Sequence, residues 1–542
     1  MKARALSEAA GFGRTLVQTG LLAPLRPDRY LRMAQVVRQQ GMSLTVGFAL
    51  AAARCPDRPG LVDERGTLTW RDLNDGCDAF AVALQSLPGG TPRSVGVMCR
   101  NHRGFVTAFV AASRVGADVV LLNTSFAGPA LAEVVAREEI AAVVYDDEFT
   151  ATIDTALADR PDAIRILAWT DAADPAANSV DGMARAHAGQ RPTPSTRKSK
   201  LILLTSGTTG TPKGANHSGG GPNELRAILS RVPWRAEETT VVVAPMFHAW
   251  GFGQLVFCAI MACTVVTRRK FDPEATLELI DRHKATGLSV VPVMFDRIMD
   301  LPDEIRKRYS ARSLRFATTS GSRMRPDVVL SFMDEFGDVI YNNYNATEAG
   351  MIATATPEDL RAAPDTAGKP VHGTEIRILD ANMDDVAPGT IGCIYVHNSS
   401  QFDGYTSGDT KSFHDGFMTS GDVGYLDQAG RLFVTGRDDE MIVSGGENVY
   451  PIEVEKVLVG HPDVAEAAVI GVDDEQYGQR LAAFVVLVGG ATATGDGLKQ
   501  HVRASLANYK VPKHLVQLDE LPRNATGKIL RRQLQEHPDV VG

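Results

Sequence analysis

Thr205-Ser206-Gly207-Thr208-Thr209-Gly210-Thr211-Pro212-Lys213-Gly214 follows the apolar run Leu201-Ile202-Leu203-Leu204. The apolar run reads as a buried strand. The ten residues after it hold five hydroxyls, three glycines and one lysine, and almost nothing that packs in a core. Glycine lets a backbone approach an anion closely, amides and hydroxyls donate to phosphate oxygens, and lysine adds a point charge. Composition alone fits an ordinary Gly/Thr surface loop. The order is not that of a G-x-x-x-x-G-K-[ST] phosphate loop, because that spacing is absent.

Strands and helices alternate on either side of this loop. Gly60 to Trp70 reads as a hairpin and Asp72 to Gln85 as a helix. Ser94–Met98 is a strand, and a helix from Arg103 ends at Gly116. Further strands are expected at 118–122, 141–145, 164–169, 241–244, 263–267, 288–292, 314–318 and 339–342. Asp272 caps a helix that opens on Pro273. Phe252 to Val266 is the most apolar helical candidate and is shorter than the ~20 residues a membrane span needs. Alternation of this kind means parallel sheets flanked by helices, with ligands beyond the strand C-termini. After Thr374 short antiparallel strands take over (375–379, 392–397, 431–434), a small β-barrel-like part. From Met441 a compact α+β unit follows, with helices at 451–459 and 495–506 and strands at 465–472 and 481–488. The expected division is an N-terminal arm over 1–40, a large α/β domain over 41–438 and a small mobile domain over 439–542.

The 542 residues exceed one core. A net charge of −9 excludes general nucleic-acid binding. Six scattered cysteines have no metal spacing and fit free thiols in a reducing cytoplasm. No secretory signal is legible. Residues 1–40 carry seven Lys/Arg against two acids. An arm packed on the protein is the preferred reading there, and peripheral membrane contact is the alternative.

Five further segments carry chemistry only in combination. Tyr344-Asn345-Ala346-Thr347-Glu348 sets an aromatic face, a hydroxyl and a hard carboxylate beside one another; alone, its Thr-Glu reads as a helix cap. Phe413-His414-Asp415-Gly416-Phe417-Met418-Thr419-Ser420-Gly421-Asp422 ends on a carboxylate able to take two donors; alone, Gly-Asp is a turn. Gly436-Arg437-Asp438-Asp439-Glu440 precedes the glycine turn Ser444-Gly445-Gly446. Pro522-Arg523-Asn524-Ala525-Thr526-Gly527-Lys528 lies near the C-terminus, where a lone lysine is ordinarily solvated. Pro245-Met246-Phe247-His248-Ala249-Trp250-Gly251 holds a histidine that would by itself be structural.

In this order, over roughly 45–535, these segments and the Thr205–Gly214 loop resemble the adenylate-forming superfamily of acyl-CoA synthetases, luciferases and peptide-synthetase adenylation domains. The resemblance implies residue roles. Thr205, Ser206, Gly207, Thr208, Thr209, Gly210 and Lys213 hold the β- and γ-phosphates of ATP. Tyr344 stacks on adenine, with Gly321 and Ser322 on one side and Asn342 and Asn343 on the other. Thr347 reaches the α-phosphate, and Glu348, with Thr205, holds Mg²⁺. Asp422 and Arg437 take the ribose. Asp439 is the hinge, and Ser444, Gly445 and Gly446 pass the CoA pantetheine. Lys528 bridges the acid and the α-phosphate; Lys528, Thr347 and Glu348 are the catalytic set. His248, Trp250, Gly251, Gly321 and Asn345 line the acyl pocket.

Asn345 departs from the usual glycine, and its side chain narrows that pocket; Phe417 and Ser420 are milder departures. The implied reaction turns a carboxylic acid into acyl-AMP and pyrophosphate, then into acyl-CoA and AMP. A medium- or long-chain fatty acid is the preferred substrate, because 247–252 carries no acid to meet an amino group and its surroundings are apolar. An aryl or branched acid is the runner-up, and a catalytically impaired nucleotide- or acyl-binding relative is the alternative of another class.

Overall fold

The computed structural model describes residues 12–41, 43–171, 177–205, 213–217, 222–346, 348–401, 410–440, 442–444, 447–474, 478–524 and 527–540. They form two compact units. The first is Met1–Asp365 with Val371–Thr374 and Asn398–Lys411; the second is Thr366–Pro370, Glu375–His397 and Ser412–Gly542.

Two sheets build the first unit. In one, the strands run in the order Ile164–Trp169, Ala142–Asp146, Ser94–Met98, Asp118–Leu121, Leu201–Thr205 and Lys213–His217. All pairs are parallel except the last. Such strands are covered on both faces and therefore read as unbroken apolar runs; Val95, Val97, Val119, Val120, Val143 and Val144 are all buried. In the other sheet, Thr264–Val266, Thr239–Val242, Gly287–Val290, Phe316–Thr319 and Ile340–Ala346 are parallel neighbours. Pro59–Asp63 continues the parallel array beside Thr264–Val266 and turns back into the antiparallel Gly66–Thr69, while Gly350–Ala355 is antiparallel at the other side.

Local signals explain many boundaries. Thr69 and Asp72 form a reciprocal capping box on helix Trp70–Gln85. Asp272 accepts from the Ala275 amide at 2.7 Å, with Pro273 at the first helical position. The apolar segment 252–266, read as a helical candidate overall and as a strand over 263–267, divides between the two. Helix Ala249–Ile260 stops, Ala262 takes a positive φ of 51°, and Thr264–Val266 joins the sheet. Apolar character is the same in a buried helix and a buried strand, so it does not mark that break.

The second unit begins with an antiparallel sheet of Glu375–Leu379, Gly392–His397, Phe413–His414, Phe417–Leu426 and Leu432–Arg437. Asp415 and Gly416 have φ of 48° and 82° and join two of these strands. Asp-Gly is the sequence such a left-handed two-residue turn favours. A second sheet, of Ile442–Ser444, Glu447–Val449, Val464–Asp474, Gly478–Leu487 and His514–Gln517, follows. Two apolar clusters pack on it. One holds Val469, Ala483 and Val485 with helix residues Val454, Leu458, Leu498 and Val502. The other holds Ala468, Ala482 and Phe484 with Leu521 and Leu534.

Candidate functional site

In the first unit Thr205 and Gly321 lie at or just past the C-terminal ends of parallel strands, where open α/β sheets bind ligands. Thr205 ends its strand and is paired with Lys213, which starts the antiparallel return strand. Lys213 and Gly214 therefore belong to a strand and not to the loop. Ser206, Gly207, Thr208, Thr209 and Gly210 lie outside the described residues, as does Thr347. Gly321 follows strand Phe316–Thr319 with φ of 106°, and a Cβ there would meet nothing within 4 Å. Ser322, next to it, is half-buried.

Tyr344, Asn345 and Ala346 of the aromatic motif lie within strand Ile340–Ala346, which runs on past the 339–342 expected from the sequence. Asn342 and Tyr344 are half-buried on this strand. Asn343 is not available to a nucleotide. It is 3% exposed; its amide donates to Thr318 Oγ1 (2.8 Å), Thr319 O (3.1 Å) and Tyr341 O (3.1 Å), and its Oδ1 accepts from Thr354 Oγ1 (2.9 Å). An asparagine so saturated ties strands together. Asn345 is the opposite case: its Oδ1 is buried without a partner among the described residues. Glu348 sits in the turn between the two strands. That turn is closed by Ala349 N donating to Ala346 O (3.1 Å) and is held from outside by Asn398 Nδ2 donating to Ala349 O (2.9 Å).

His248 caps helix Ala249–Ile260, its ring against Phe247 at 4.4 Å between centroids. Burial pulls its imidazole down from 6.5 to about 4, so the ring is neutral at pH 7, and its Nε2 is buried without a partner among the described residues. Trp250 and Gly251, expected to line the acyl pocket, also have structural roles. Trp250 Nε1 donates to Val290 O at 2.9 Å, which fastens the helix to the end of a neighbouring strand. A Cβ on Gly251 would come within 2.3 Å of Pro245 O, so glycine is required there by backbone packing.

In the second unit Asp422 and Arg437 stand directly opposite one another on paired strands, with Nη1 and Oδ1 3.6 Å apart. The two residues assigned to the ribose are therefore brought together. Asp439 lies in the turn Asp438–Glu440. Ser444 pairs with Glu447, so Gly445 and Gly446 occupy the connection between two strands and lie outside the described residues. Lys528 sits at the foot of a narrow loop. Asn524 N donates to Lys528 O (2.9 Å), and Lys528 N donates to Asn524 Oδ1 (2.9 Å).

The family model for AMP-binding enzymes matches residues 48–406, and the model for the AMP-binding enzyme C-terminal domain matches residues 453–528. The chain belongs to the AMP-binding enzyme family. This AMP-binding enzyme is 32% identical over 493 residues to 2-succinylbenzoate–CoA ligase of Geobacillus sp. (strain WCH70), covering 89% of this chain and 95% of the relative. It is likewise 32% identical over 487 residues to indoleacetate–CoA ligase of Aromatoleum aromaticum, covering 86% and 93%. Among solved structures it is similar to o-succinylbenzoate CoA synthetase from Bacillus subtilis in complex with an acyl-adenylate intermediate, with a TM-score of 0.77, 27% identity and coverage of 91% and 98%. It is also similar to an amide bond synthetase from Marinactinospora thermotolerans, with a TM-score of 0.76, 25% identity and coverage of 93% and 99%.

Three further side chains brace the segments that hold candidate residues; of these only Arg523 falls within a motif quoted from the sequence, and its role there was not assigned. Asn101, 4% exposed, donates to Ala244 O (2.9 Å) and accepts from Met246 N (2.8 Å), so it clamps the turn that leads to His248. Arg523 donates to Gly527 O (2.5 Å) and pairs with Glu466 (2.6 Å), which anchors the Lys528 loop to a strand. Arg531 pairs with Glu455 (2.9 Å) and Glu440 (3.4 Å), the latter in the Asp438–Glu440 turn. A separate buried cluster of Cys99, His102 and Asp146 has ligand atoms within 4.8 Å of one another. Its valences are already used. His102 Nδ1 accepts from Gly104 N (3.0 Å), so Nε2 carries the proton toward Asp146 Oδ1 (2.7 Å), and Asp146 Oδ2 accepts from Arg100 N (2.9 Å). The cluster is a strut that caps helix Arg103–Arg114.

Proposed function

We propose that this enzyme activates an aromatic carboxylic acid with ATP and transfers it to coenzyme A, releasing pyrophosphate and AMP. The observation that carries the reading is similarity, over nearly nine-tenths of the chain, to CoA ligases named for 2-succinylbenzoate and indoleacetate. Those names favour the aryl runner-up over the medium- or long-chain fatty acid expected from the apolar segment 247–252.

In this reading the acid's carboxylate attacks the α-phosphorus and pyrophosphate leaves. Lys213 and the 205–210 loop hold the leaving phosphates, Tyr344 and Gly321 hold adenine, and Asp422 and Arg437 hold the ribose. Lys528 neutralises charge at the reacting centre. Glu348 and Thr205 offer only hard oxygen donors, which suits Mg²⁺; bound there, the ion supplies charge neutralisation at the phosphates. The segment 439–542 then turns about Asp439, Lys528 withdraws, and Ser444, Gly445 and Gly446 guide the thiol to the acyl carbonyl. The need for ATP and coenzyme A favours a cytoplasmic reaction.

Pyrophosphate release, measured with arylacetic, benzoic and fatty acids with and without CoA, tests the reading. Release on aryl acids with CoA-dependent thioester formation is expected. Turnover confined to fatty acids would restore the first expectation, and nucleotide binding without turnover on any acid would leave an impaired relative.

A further inference from the structure

Residues 12–41 form a basic arm that turns apolar side chains outward. They contain five arginines and one acid, within a chain of net charge −9. The acid, Asp28, is neutralised inside the arm by Arg32 at 2.7 Å and Arg26 at 3.2 Å. Helix Pro27–Gln40 has no buried residue. Tyr30, Leu31, Ala34, Val37 and Arg38 fall on one side of it and are all exposed, while Met33, Val36 and Gln40 on the other side are half-buried. Leu31 is 72% exposed, and Val17 and Leu22, ahead of the helix, are 61% and 53% exposed. Ten large hydrophobic side chains are exposed among the described residues, and Val17, Leu22, Tyr30, Leu31 and Val37 are five of them. Single exposed hydrophobics are ordinary; a concentration of them marks an interaction surface.

The arm is anchored at its base. Arg54, 3% exposed, donates to Leu21 O (2.7 Å) and Gly20 O (2.8 Å) and pairs with Glu237 (2.8 Å). Ala236 N donates to Thr19 O (2.8 Å). Tyr30 staples the start of the helix, donating to Ala23 O (3.2 Å) and accepting from Leu25 N (3.3 Å). Part of the arm is thus packed on the protein, as the sequence reading preferred, while its outer face stays uncovered. The arm precedes residue 48, where the family match begins, so the adenylation scaffold does not account for it.

We propose that this face docks the enzyme on an anionic lipid surface. Leu31, Tyr30, Val37, Val17 and Leu22 enter the boundary between headgroups and acyl chains, and the arginines meet lipid phosphates. Exposed Arg14 and Arg38 have no ion-pair partner among the described residues, and guanidinium pairs with phosphate through two parallel hydrogen bonds. A basic amphipathic helix at a bilayer gains from both terms. A second copy of this chain would bring arginine against arginine, which disfavours self-association through the same face.

Flotation of the full-length protein tests this, using vesicles of phosphatidylcholine alone and of phosphatidylcholine with phosphatidylglycerol. Binding is expected on the phosphatidylglycerol vesicles only, falling as salt is added. The double variant Leu31→Glu/Val37→Glu should lose about tenfold or more in binding, with unchanged pyrophosphate release and melting. Arg14→Gln/Arg38→Gln should lose roughly fivefold per arginine. Absence of wild-type binding to phosphatidylglycerol vesicles, or undiminished binding by both variants, overturns the proposal. So does concentration-dependent self-association that Leu31→Glu abolishes, since the face would then join copies.

Discussion

Replacing Asn101 by alanine tests whether the turn proposed to line the acid pocket is held where the fold places it. The side chain makes two hydrogen bonds, to Ala244 O at 2.9 Å and from Met246 N at 2.8 Å, and is 4% exposed. Its removal leaves one buried carbonyl and one buried amide unpaired, at roughly 1–3 kcal/mol each. A water drawn into the polar space left behind recovers part of this, so a net loss of about 2–3 kcal/mol is expected from urea unfolding. The loosened Ala244–Met246 turn leads directly to His248. Pyrophosphate-release kinetics should therefore show KM for the acid raised about tenfold, equivalent to ~1.4 kcal/mol, with KM for ATP within about twofold of wild type. Asn101→Asp does not rescue, because it sets a carboxylate against the Ala244 carbonyl. A stability loss below about 1 kcal/mol together with an unchanged acid KM would refute the reasoning.

Lys528→Ala should lower adenylation by about 10²–10³-fold or more while leaving thioester formation from supplied acyl-AMP nearly intact; equal losses in both half-reactions would remove the role given to this lysine. Because burial holds His248 near 4 in the folded state, against 6.5 when unfolded, the unfolded chain binds the extra proton between those values. Stability then rises with pH from about 4 to 6.5 and is flat above, by on the order of 3 kcal/mol in all, and His248→Gln should flatten that slope in pH-dependent unfolding. Asn345→Gly removes both the side-chain bulk and the unpaired acceptor, so kcat/KM for bulkier acids should rise about tenfold with ATP affinity unchanged. A uniform fall on every acid would show that Asn345 supports the backbone and does not shape the pocket.

Legibility in the sequence followed how local each determinant was. Asp272-Pro273 announces a helix start and Asp415-Gly416 a two-residue turn, because the cap and the left-handed dihedrals depend on adjacent residues. The parallel strands were visible as apolar runs, and the motif order made the nucleotide and acid segments recognisable. Pairing was not visible. Asn343 sits between two site residues in sequence, yet its amide is consumed by Thr318, Thr319, Tyr341 and Thr354, three of them on other strands. Gly251 reads as a gap beside a ligand and is instead a close approach to Pro245. Asn101, Arg523 and Arg531 act across long sequence separations; Arg523 is marked by its motif, but its partner Glu466 is not, and nothing near Asn101 in the chain distinguishes it from a surface polar residue. The thiols were close to expectation: all six are free, and Cys393 alone is half-buried.

The pairing of Thr205 with Lys213 fixes both ends of the seven-residue connection 206–212 on adjacent strands. Once a loop is closed by its stem, each doubling of its length adds only about 0.6 kcal/mol of closure entropy. Folding therefore places almost no demand on how many residues the connection has. A glycine inserted between these two strands should leave the melting temperature nearly unchanged while lowering turnover if the proposed phosphate-holding role of the segment is right, and equal losses in both would refute that role.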